Sequence, residues 1–336
     1  PPVKDVINIV HTDNMQSRVL DSLYGGMGFA ELSAIADFSK TLAPTVLLDA
    51  GEFVFKEAVP GVTLEHAEQL LQVLETVGYD AMTPGVYDFN YGYEGLVMLD
   101  QAASFPMLSA NLMKDGQLLF DAYTLLDVDG VQVGVFGLSS PDILVKNPAA
   151  AAAGLEVGDP IAAAEAAVAD LEAAGADVII ALTHLGLAEL VEAGYFSQAD
   201  LAYAAELLEG RVHVIIDSYS EYPVDEPFYI GSTLFAQTGG VSRVGGIEIT
   251  LEDQEVVAID SMLIDRNLFE AFGLAPDPAV LAVLDAVEMP GVPPAPPVEV
   301  VVKEPLAPVE LAILYTTDLK GRVLESDNAI GLAKIA

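Results

Sequence analysis

The chain lacks cysteine altogether, has few basic residues and carries no long apolar run. The absence of cysteine is typical of a secreted protein that avoids stray disulfides, although many cytosolic proteins lack cysteine as well. Only 13 Lys and Arg residues stand against 51 Asp and Glu residues, which gives a formal net charge of −38. This balance argues against nucleic acid and anionic membrane as partners, because binding to phosphate groups needs concentrated positive charge. It indicates a solvated acidic surface, with cation binding as the alternative.

Apolar residues make up 52% of the chain. No run of them reaches the roughly 18 residues that a membrane span needs, so we predict no membrane span. The first residues, Pro1 to Lys4, lead directly into an apolar stretch, as in a chain whose signal peptide has been removed. The expected location is therefore extracellular, at the cell surface or periplasmic.

The order of apolar and amphipathic segments predicts an α/β fold that becomes richer in strands towards its end. Strands are predicted at residues 6–10, 45–49, 105–110, 118–127, 131–138, 178–183, 212–216, 228–230, 234–237, 244–251 and 256–264. Helices are predicted at residues 25–39, 63–76, 161–174, 198–209 and 277–287. This order predicts two stacked sheets flanked by helices, one sheet mixed and the other largely antiparallel.

Two apolar segments end abruptly in loops of glycine and short polar residues. Residues 47–53 read Leu-Leu-Asp-Ala-Gly-Glu-Phe, and residues 83–92 read Thr-Pro-Gly-Val-Tyr-Asp-Phe-Asn-Tyr-Gly. Loops of this kind lie at the carboxyl edge of a buried sheet, where α/β proteins usually keep their chemistry. The two loops therefore predict a functional site at that edge.

The last fifty residues change character. Residues 289–308 contain seven prolines, which is typical of a stiff, extended linker. Residues 311–324 then repeat the opening of the chain, with Ile313, Thr316 and Arg322 in the places of Ile9, Thr12 and Arg18. We predict a first domain at 1–287, a proline-rich linker at 288–308 and a partial second repeat, a strand plus a helix, at 309–336.

Six short segments, in chain order, resemble the N-terminal domain of the 5′-nucleotidase family, within the calcineurin-like metallophosphoesterases. The resemblance covers residues 5–285 and implies a four-layer αββα sandwich of two mixed sheets flanked by helices. The segments are residues 9–12 with Arg18, 48–51, 88–92, 108–111, 182–186, and 237–239 followed by 245–246.

The resemblance implies a chemistry of two divalent metal ions about 4 Å apart, with a bridging hydroxide that attacks phosphorus. At the seven ligand positions this sequence has Asn14, Gln16, Glu52, Val86, His184, Tyr219 and Glu221. His184 alone keeps the family residue. Val86 has no ligand atom, and Tyr219 would have to ionise from a pKa near 10. We therefore predict a vestigial metal site and no cofactor.

Two further positions carry the family's catalytic pair, a transition-state-stabilising His and an orienting Asp. They are Tyr87 and Asn90 in this sequence, so the prediction is that the protein is not an enzyme. A weak calcium site is the alternative for the cofactor, because several carboxylates would meet at the same sheet edge. Those carboxylates are Asp13, Glu52, Asp88, Asp217 and Glu221.

These patterns predict a non-catalytic, structural protein that assembles with other copies of itself through its C-terminal strand, as a filament or surface layer. The residues expected to make that contact are Leu311, Ile313, Leu314, Tyr315, Val323 and Leu324. Two other functions stay open. One is a pseudoenzyme that binds calcium, a nucleotide or another phosphate ligand. The other is a residual metal-dependent phosphoesterase or 5′-nucleotidase.

Overall fold

The structure, a computed structural model, describes residues 4–15, 27–53, 64–186, 210–219, 228–240 and 243–286. Its strands are β1 (Lys4–Thr12), β2 (Thr45–Asp49), β3 (Ala81–Met82), β4 (Leu112–Lys114), β5 (Gln117–Leu118), β6 (Tyr123–Val128), β7 (Val131–Ser139), β8 (Leu155–Val157), β9 (Val178–His184), β10 (Val214–Asp217), β11 (Phe228–Ile230), β12 (Thr233–Ala236), β13 (Val244–Glu252) and β14 (Glu255–Ile264). Its helices are α1 (Phe29–Lys40), α2 (Leu64–Val77), α3 (Gly92–Ala102), α4 (Ile143–Lys146), α5 (Pro148–Ala152), α6 (Pro160–Ala174), α7 (Arg266–Ala271) and α8 (Pro278–Leu284), with a 3₁₀ turn at Tyr87–Tyr91.

The described strands form two large mixed sheets and a small one. The first large sheet has the order β14-β13-β1-β2-β3, in which β1, β2 and β3 run parallel. The second has the order β11-β12-β10-β9-β7-β6, in which β12, β10, β9 and β7 run parallel. The small sheet has the order β5-β4-β8. The prediction of a largely antiparallel second sheet is wrong, because β12 continues its parallel run.

The side-chain alternation of β1 shows how the layers form. Ile7 and Ile9 point into the core between the two large sheets, whereas Val10 points towards the helices. Helices α1, α2, α3 and α8 cover the outer face of the first sheet, and α6 covers the second. Burying each such side chain contributes roughly 1.5–3 kcal/mol, so both faces of each sheet favour this arrangement. The four-layer αββα sandwich is confirmed.

Helix α6 illustrates a prediction that local sequence decides. The Asp159 carboxylate accepts hydrogen bonds from the backbone N–H groups of Ile161 and Ala162, at 2.8 and 3.1 Å. Pro160 occupies the first turn, and Gly175 ends the helix in a left-handed conformation with φ +86°. These start and stop signals confirm a helix at 161–174.

Other elements differ from the predictions. The predicted strand at 105–110 is wrong, because Met107 makes an isolated bridge to Met82 and Leu108 makes one to Asp121. The segment crosses from one sheet to the other and so forms no ladder. Helix α3 was not predicted, and the predicted helix at 198–209 lies outside the described residues. Of the helices described, none combines the length and the apolar character needed to cross a membrane.

Candidate functional site

Parallel strands of both large sheets end at one edge, and polar residues close them. Thr12 ends β1, Asp49 ends β2, His184 ends β9 and Asp217 ends β10. All four are buried. The carboxyl edge that the loop sequences predicted therefore exists, and both sheets contribute to it.

Asp13 ties the end of β1 to the loop after β12. Its carboxylate accepts hydrogen bonds from the backbone N–H groups of Thr238 (2.5 Å) and Gly240 (3.1 Å). Complete burial raises the pKa of Asp13 to about 6, although these bonds lower it. The next residue, Asn14, has φ +54° and donates its backbone N–H to the Gly51 carbonyl at 2.8 Å. Asp13 thus links the loop after β1 to the loop after β12.

In the loop after β2, Gly51 occupies a position that has no room for a side chain. Gly51 has φ +101°, and a Cβ there would lie 2.8 Å from Nδ1 of His184 and 2.9 Å from the backbone of Thr83 and Gly85. Its N–H donates to Asp49 at 2.8 Å, and Asp49 also accepts from the Thr12 hydroxyl at 2.6 Å. Burial raises the pKa of Asp49 well above its usual range.

Glu52 and Asp88 join this loop to the next one. Glu52 is buried and has φ +59°, and its backbone N–H donates to Asp88 Oδ2 at 2.9 Å. The same oxygen accepts from the Gly85 N–H at 2.7 Å. A Cβ on Gly85 would lie 2.6 Å from Glu52 and 2.8 Å from the His184 ring, so this glycine permits the close approach.

His184 and Glu52 face each other at the centre of the site. His184 Nδ1 lies 2.9 Å from the Ala50 carbonyl, so Nδ1 carries the proton and donates. His184 Nε2 lies 3.3 Å from Glu52 Oε1 and makes no well-directed hydrogen bond among the described residues. Burial opposes the charged imidazole, but Glu52, the Ala50 carbonyl and Asp88 together raise the pKa of His184.

Two side chains of the third loop, those of Val86 and Tyr87, pack away from this pair. Val86 is fully buried in the helix-side core, and Tyr87 packs partly buried against that core. The Asn147 amide donates to the Val86 carbonyl at 3.0 Å and to Asn90 Oδ1 at 3.2 Å. The residues at the family's catalytic-pair positions therefore belong to a packed, hydrogen-bonded loop.

Tyr219 reaches from the end of β10 to helix α4. Its ring lies edge-on to His184, with the ring centres 5.4 Å apart. Its hydroxyl donates to Asp142 Oδ2 at 2.5 Å and also contacts the Lys146 ammonium. Sequence reasoning missed Asp142, Lys146 and Asn147, because no motif marks them.

The structure brings together part of the predicted ligand set. His184 contacts both Glu52 and Tyr219. Val86 follows Gly85 on the adjacent loop. Asn14 lies on the neighbouring turn, whereas Gln16 and Glu221 lie outside the described residues. Of the carboxylates predicted for calcium, Asp13, Asp88 and Asp217 accept backbone hydrogen bonds that shape the loops. The vestigial character of the ligand positions stays a prediction.

The His184–Glu52 pair offers two side-chain ligands for a divalent metal ion. The Ala50 carbonyl fixes the Nδ1 proton, which leaves the lone pair of a neutral ring on Nε2, the arrangement of most metal-ligating histidines. Glu52 Oε1 adds an anionic oxygen at the same place. Within the described ranges no third His, Asp or Glu joins them to make a three-residue metal site. Val86 offers no side-chain ligand for a second ion.

Comparison with known proteins identifies relatives over most of the chain. No protein-family model matches it. The chain is 31% identical over 227 residues to a 5′-nucleotidase of Vibrio vulnificus, and 30% identical over 226 residues to one of Vibrio cholerae. It is also 30% identical over 226 residues to protein UshA of Yersinia enterocolitica. These alignments cover 65% of this chain but 40–41% of each relative.

Solved structures show the same fold. A 5′-nucleotidase precursor of Thermus thermophilus superposes with a TM-score of 0.65 at 22% identity, over 84% of this chain and 58% of that one. The calcineurin-like phosphoesterase YfkN of Bacillus subtilis gives a TM-score of 0.67 at 20% identity, over 85% and 97%. At these identities the likeness concerns the fold alone.

These relatives correct the predicted function. Because they are 5′-nucleotidases and phosphoesterases, the prediction of a non-catalytic, self-assembling structural protein is wrong, and so is that of a pseudoenzyme binding module. The sequence reasoning counted replaced ligands one by one and could not detect that His184 and Glu52 still face each other.

The predicted contact residues 311–324 and the domain boundaries at 287 and 308 lie outside the described residues. Contact with other copies, and the absence of a nucleic-acid partner, stay predictions.

The cofactor prediction is corrected on the same ground. The prediction of no cofactor, with a weak calcium site as its alternative, is wrong, because the relatives are 5′-nucleotidases, whose family chemistry uses two catalytic divalent metal ions. The His184–Glu52 pair offers two ligands for one such ion. Sequence similarity over 65% of the chain and the αββα fold agree on one assignment. Over 65% of its length the chain is similar in sequence to 5′-nucleotidases, and it shares the fold of calcineurin-like phosphoesterases.

Proposed function

We propose that the chain hydrolyses phosphate esters, with 5′-nucleotides as the substrate class. The observation that carries this proposal is the His184–Glu52 pair, held at the carboxyl edge of a sheet sandwich whose relatives are 5′-nucleotidases. Since the chain spans about two fifths of those relatives, the activity of the whole relative is a proposal here.

Five described residues of the site have definable roles in this proposal. Glu52 and His184 would hold a divalent ion, which when bound polarises a phosphoryl oxygen and acidifies bound water. The Ala50 carbonyl orients His184, and Asp88 holds the backbone of Glu52 and Gly85 in place. Asp13 fixes the turn at Thr238 and Gly240 that closes the same edge.

We expect a slow enzyme. Tyr87 stands at the position of the family's transition-state-stabilising His and packs against the core. Losing one preorganised transition-state donor typically costs about 10²–10³ in kcat. The expected kcat is therefore at least about 10²-fold below that of the nucleotidase relatives.

Phosphate release from AMP tests the proposal. The purified chain should release phosphate with Mg²⁺, Mn²⁺, Co²⁺ or Zn²⁺, and should stop when EDTA is added. His184→Ala should abolish release, because it removes the imidazole that faces Glu52. His213→Ala is the matched control, since His213 is a partly buried histidine that accepts a backbone hydrogen bond from Ile179 in another part of the second sheet. Absence of phosphate release with every ion, or equal rates for the wild type and His184→Ala, would refute the proposed function.

We also infer that the protein acts outside the cytoplasm, in the periplasm, at the cell surface or in the medium. The cysteine-free composition fits this location, because a secreted chain without cysteine avoids stray disulfides. Fractionation of native cells with a cytoplasmic marker enzyme as the control tests it. Recovery of the protein together with the marker would overturn the inference.

A further inference from the structure

The candidate site has an excess of negative charge that a phosphate ester would have to overcome. Asp13, Glu52, Asp88 and Asp217 carry carboxyl groups that are buried at the carboxyl edge. A phosphate group carries up to two negative charges, so its binding requires positive charge nearby. One divalent ion at His184 and Glu52 would supply only part of this charge.

Lys146 brings an ammonium group to this edge. Its Nζ lies 3.3 Å from Asp142 Oδ2 and 4.4 Å from the centre of the Tyr219 ring. That ring centre lies 5.4 Å from the centre of the His184 ring, so the ammonium lies at most 9.8 Å from the imidazole centre. The Lys146 side chain as a whole is 44% exposed.

The Tyr219 ring, over which the Lys146 ammonium lies, is positioned by contacts of its own. It has φ +86°, a conformation that is unfavourable for a residue with a side chain, and its hydroxyl donates to Asp142 at 2.5 Å. Gly186 makes room for the ring, because a Cβ there would lie 2.3 Å from Cδ1 of Tyr219. Tyr219 and Asp142 together place the Lys146 ammonium beside the site.

We propose that Lys146 binds the phosphate group of the substrate. The inference rests on the proposed function, hydrolysis of a phosphate ester, and adds a binding residue to it. The Tyr219 hydroxyl already donates to Asp142, so that carboxylate is shared between two partners. Half-exposed ion pairs are weak in water, and a phosphate with more negative charge competes well for the lysine.

Steady-state kinetics with AMP tests this role. Lys146→Met should raise KM for AMP about 10-fold, the effect of losing one charge-assisted hydrogen bond, while Lys146→Arg keeps KM within about threefold of the wild type. Lys40→Met is the matched control. Lys40 also lies in the last turn of a helix, pairs with a nearby aspartate at 3.3 Å and is 47% exposed, but it precedes β2 at the opposite edge. Its KM should stay at the wild-type value.

Calorimetric titration with AMP separates this inference from the proposed function. The wild type could bind AMP without hydrolysing it, while Lys146→Met weakens that binding about 10-fold and Lys40→Met does not. This result would refute the proposed function and support the role of Lys146 in binding phosphate. Equal KM and equal Kd for the wild type and Lys146→Met would overturn the role of Lys146. An equal loss in Lys146→Arg and Lys146→Met would overturn the charge-based role, and absence of AMP binding would overturn the proposal altogether.

Discussion

Residues in left-handed backbone conformations shape the candidate site. Asn14, Glu52 and Tyr219 have φ between +54° and +86°, and each follows a strand of one of the large sheets. Residues with a side chain adopt this region rarely, and when they do they concentrate at functional loops. Gly51 completes the set with φ +101°. The glycine is visible in the sequence, whereas nothing local marks the other three.

Gly51→Ala should destabilise the protein by about 3 kcal/mol. About 1 kcal/mol comes from the left-handed conformation and about 2 kcal/mol from overlap of the new methyl group with His184, Thr83 and Gly85. Gly78→Ala is the control, since Gly78 has φ +83° and no described atom lies within 4 Å of its Cβ position. It should cost about 1 kcal/mol. Urea unfolding measures both values, and equal losses would contradict the crowding at Gly51.

His11 lies buried between the sheets, and its ring packs on Gly245. Burial lowers its pKa from 6.5 to about 3, so the folded protein keeps this imidazole neutral while the unfolded chain takes up a proton below pH 6.5. The contribution of His11 to the free energy of unfolding is therefore fully present above pH 6.5 and is lost as the pH falls. At pH 5 the loss is about 2 kcal/mol.

His11→Gln should remove this dependence. Between pH 7 and pH 5 the wild type should lose about 2 kcal/mol more unfolding free energy than the variant, because the glutamine does not titrate. Urea unfolding at the two pH values measures the difference. A wild-type-to-variant difference that is the same at pH 7 and pH 5 would show that His11 does not titrate as inferred.

At the scale of elements, the short helices α4 and α5 organise one side of the site. Helix α4 carries Lys146 and begins after Asp142, the two residues that contact Tyr219. Asn147, between the helices, caps α5 by accepting from the N–H groups of Ala149 and Ala150 at 3.1 Å. Its amide also binds the Val86 carbonyl. One residue therefore couples this helix pair to the third loop.

Asn147→Ala should cost about 2–3 kcal/mol of unfolding free energy. About 1 kcal/mol is the lost helix cap, and the rest is the Val86 carbonyl, left buried without its amide donor. Asp159→Ala removes a comparable cap from α6 without any described cross-link and should cost about 1 kcal/mol. Chemical unfolding of both variants tests this difference. If Asn147→Ala cost no more than Asp159→Ala, the bond to the third loop would contribute nothing measurable.

At the scale of the whole molecule, charge opposes folding while the layered core favours it. The net charge of −38 is concentrated in the compact state, so like charges repel there more than in the unfolded chain. The apolar faces of both sheets and their covering helices offset this repulsion. Stability should therefore depend on ionic strength.

Raising NaCl from 0.02 to about 0.3 M should increase the unfolding free energy at pH 7 by on the order of 1 kcal/mol, because salt screens the repulsion. The same titration near pH 4.1, the isoelectric point, is the control, since the net charge is then close to zero. Thermal and urea unfolding at each salt concentration provide the measurement. A salt effect of the same size at both pH values would exclude charge repulsion as its cause.

Most of the fold was predictable from sequence because its signals are local. Short continuous apolar runs and the Asp159, Pro160 and Gly175 signals of α6 specify strands and a helix without reference to the rest of the chain. Residues 105–110 were mistaken for a strand because an apolar run that crosses between two sheets looks the same locally as a run within one. Helix α3 was missed because it begins at Gly92, without a side-chain capping signal that marks a helix start.

The sequence by itself determined which loops lie at the carboxyl edge, which family the chain resembles and which ligand positions lack a coordinating side chain, as at Val86. Those properties follow from residue identity and order. Only the tertiary structure decided that His184 faces Glu52 and that Tyr219 holds Lys146, 73 residues before it in the chain, beside the imidazole. Such contacts depend on strand pairing and on left-handed turns that aim side chains across the sheet edge, so no local pattern encodes them. The loss of ligands stays a prediction from sequence, whereas the His184–Glu52 pair and the nearby Lys146 are features of the tertiary structure.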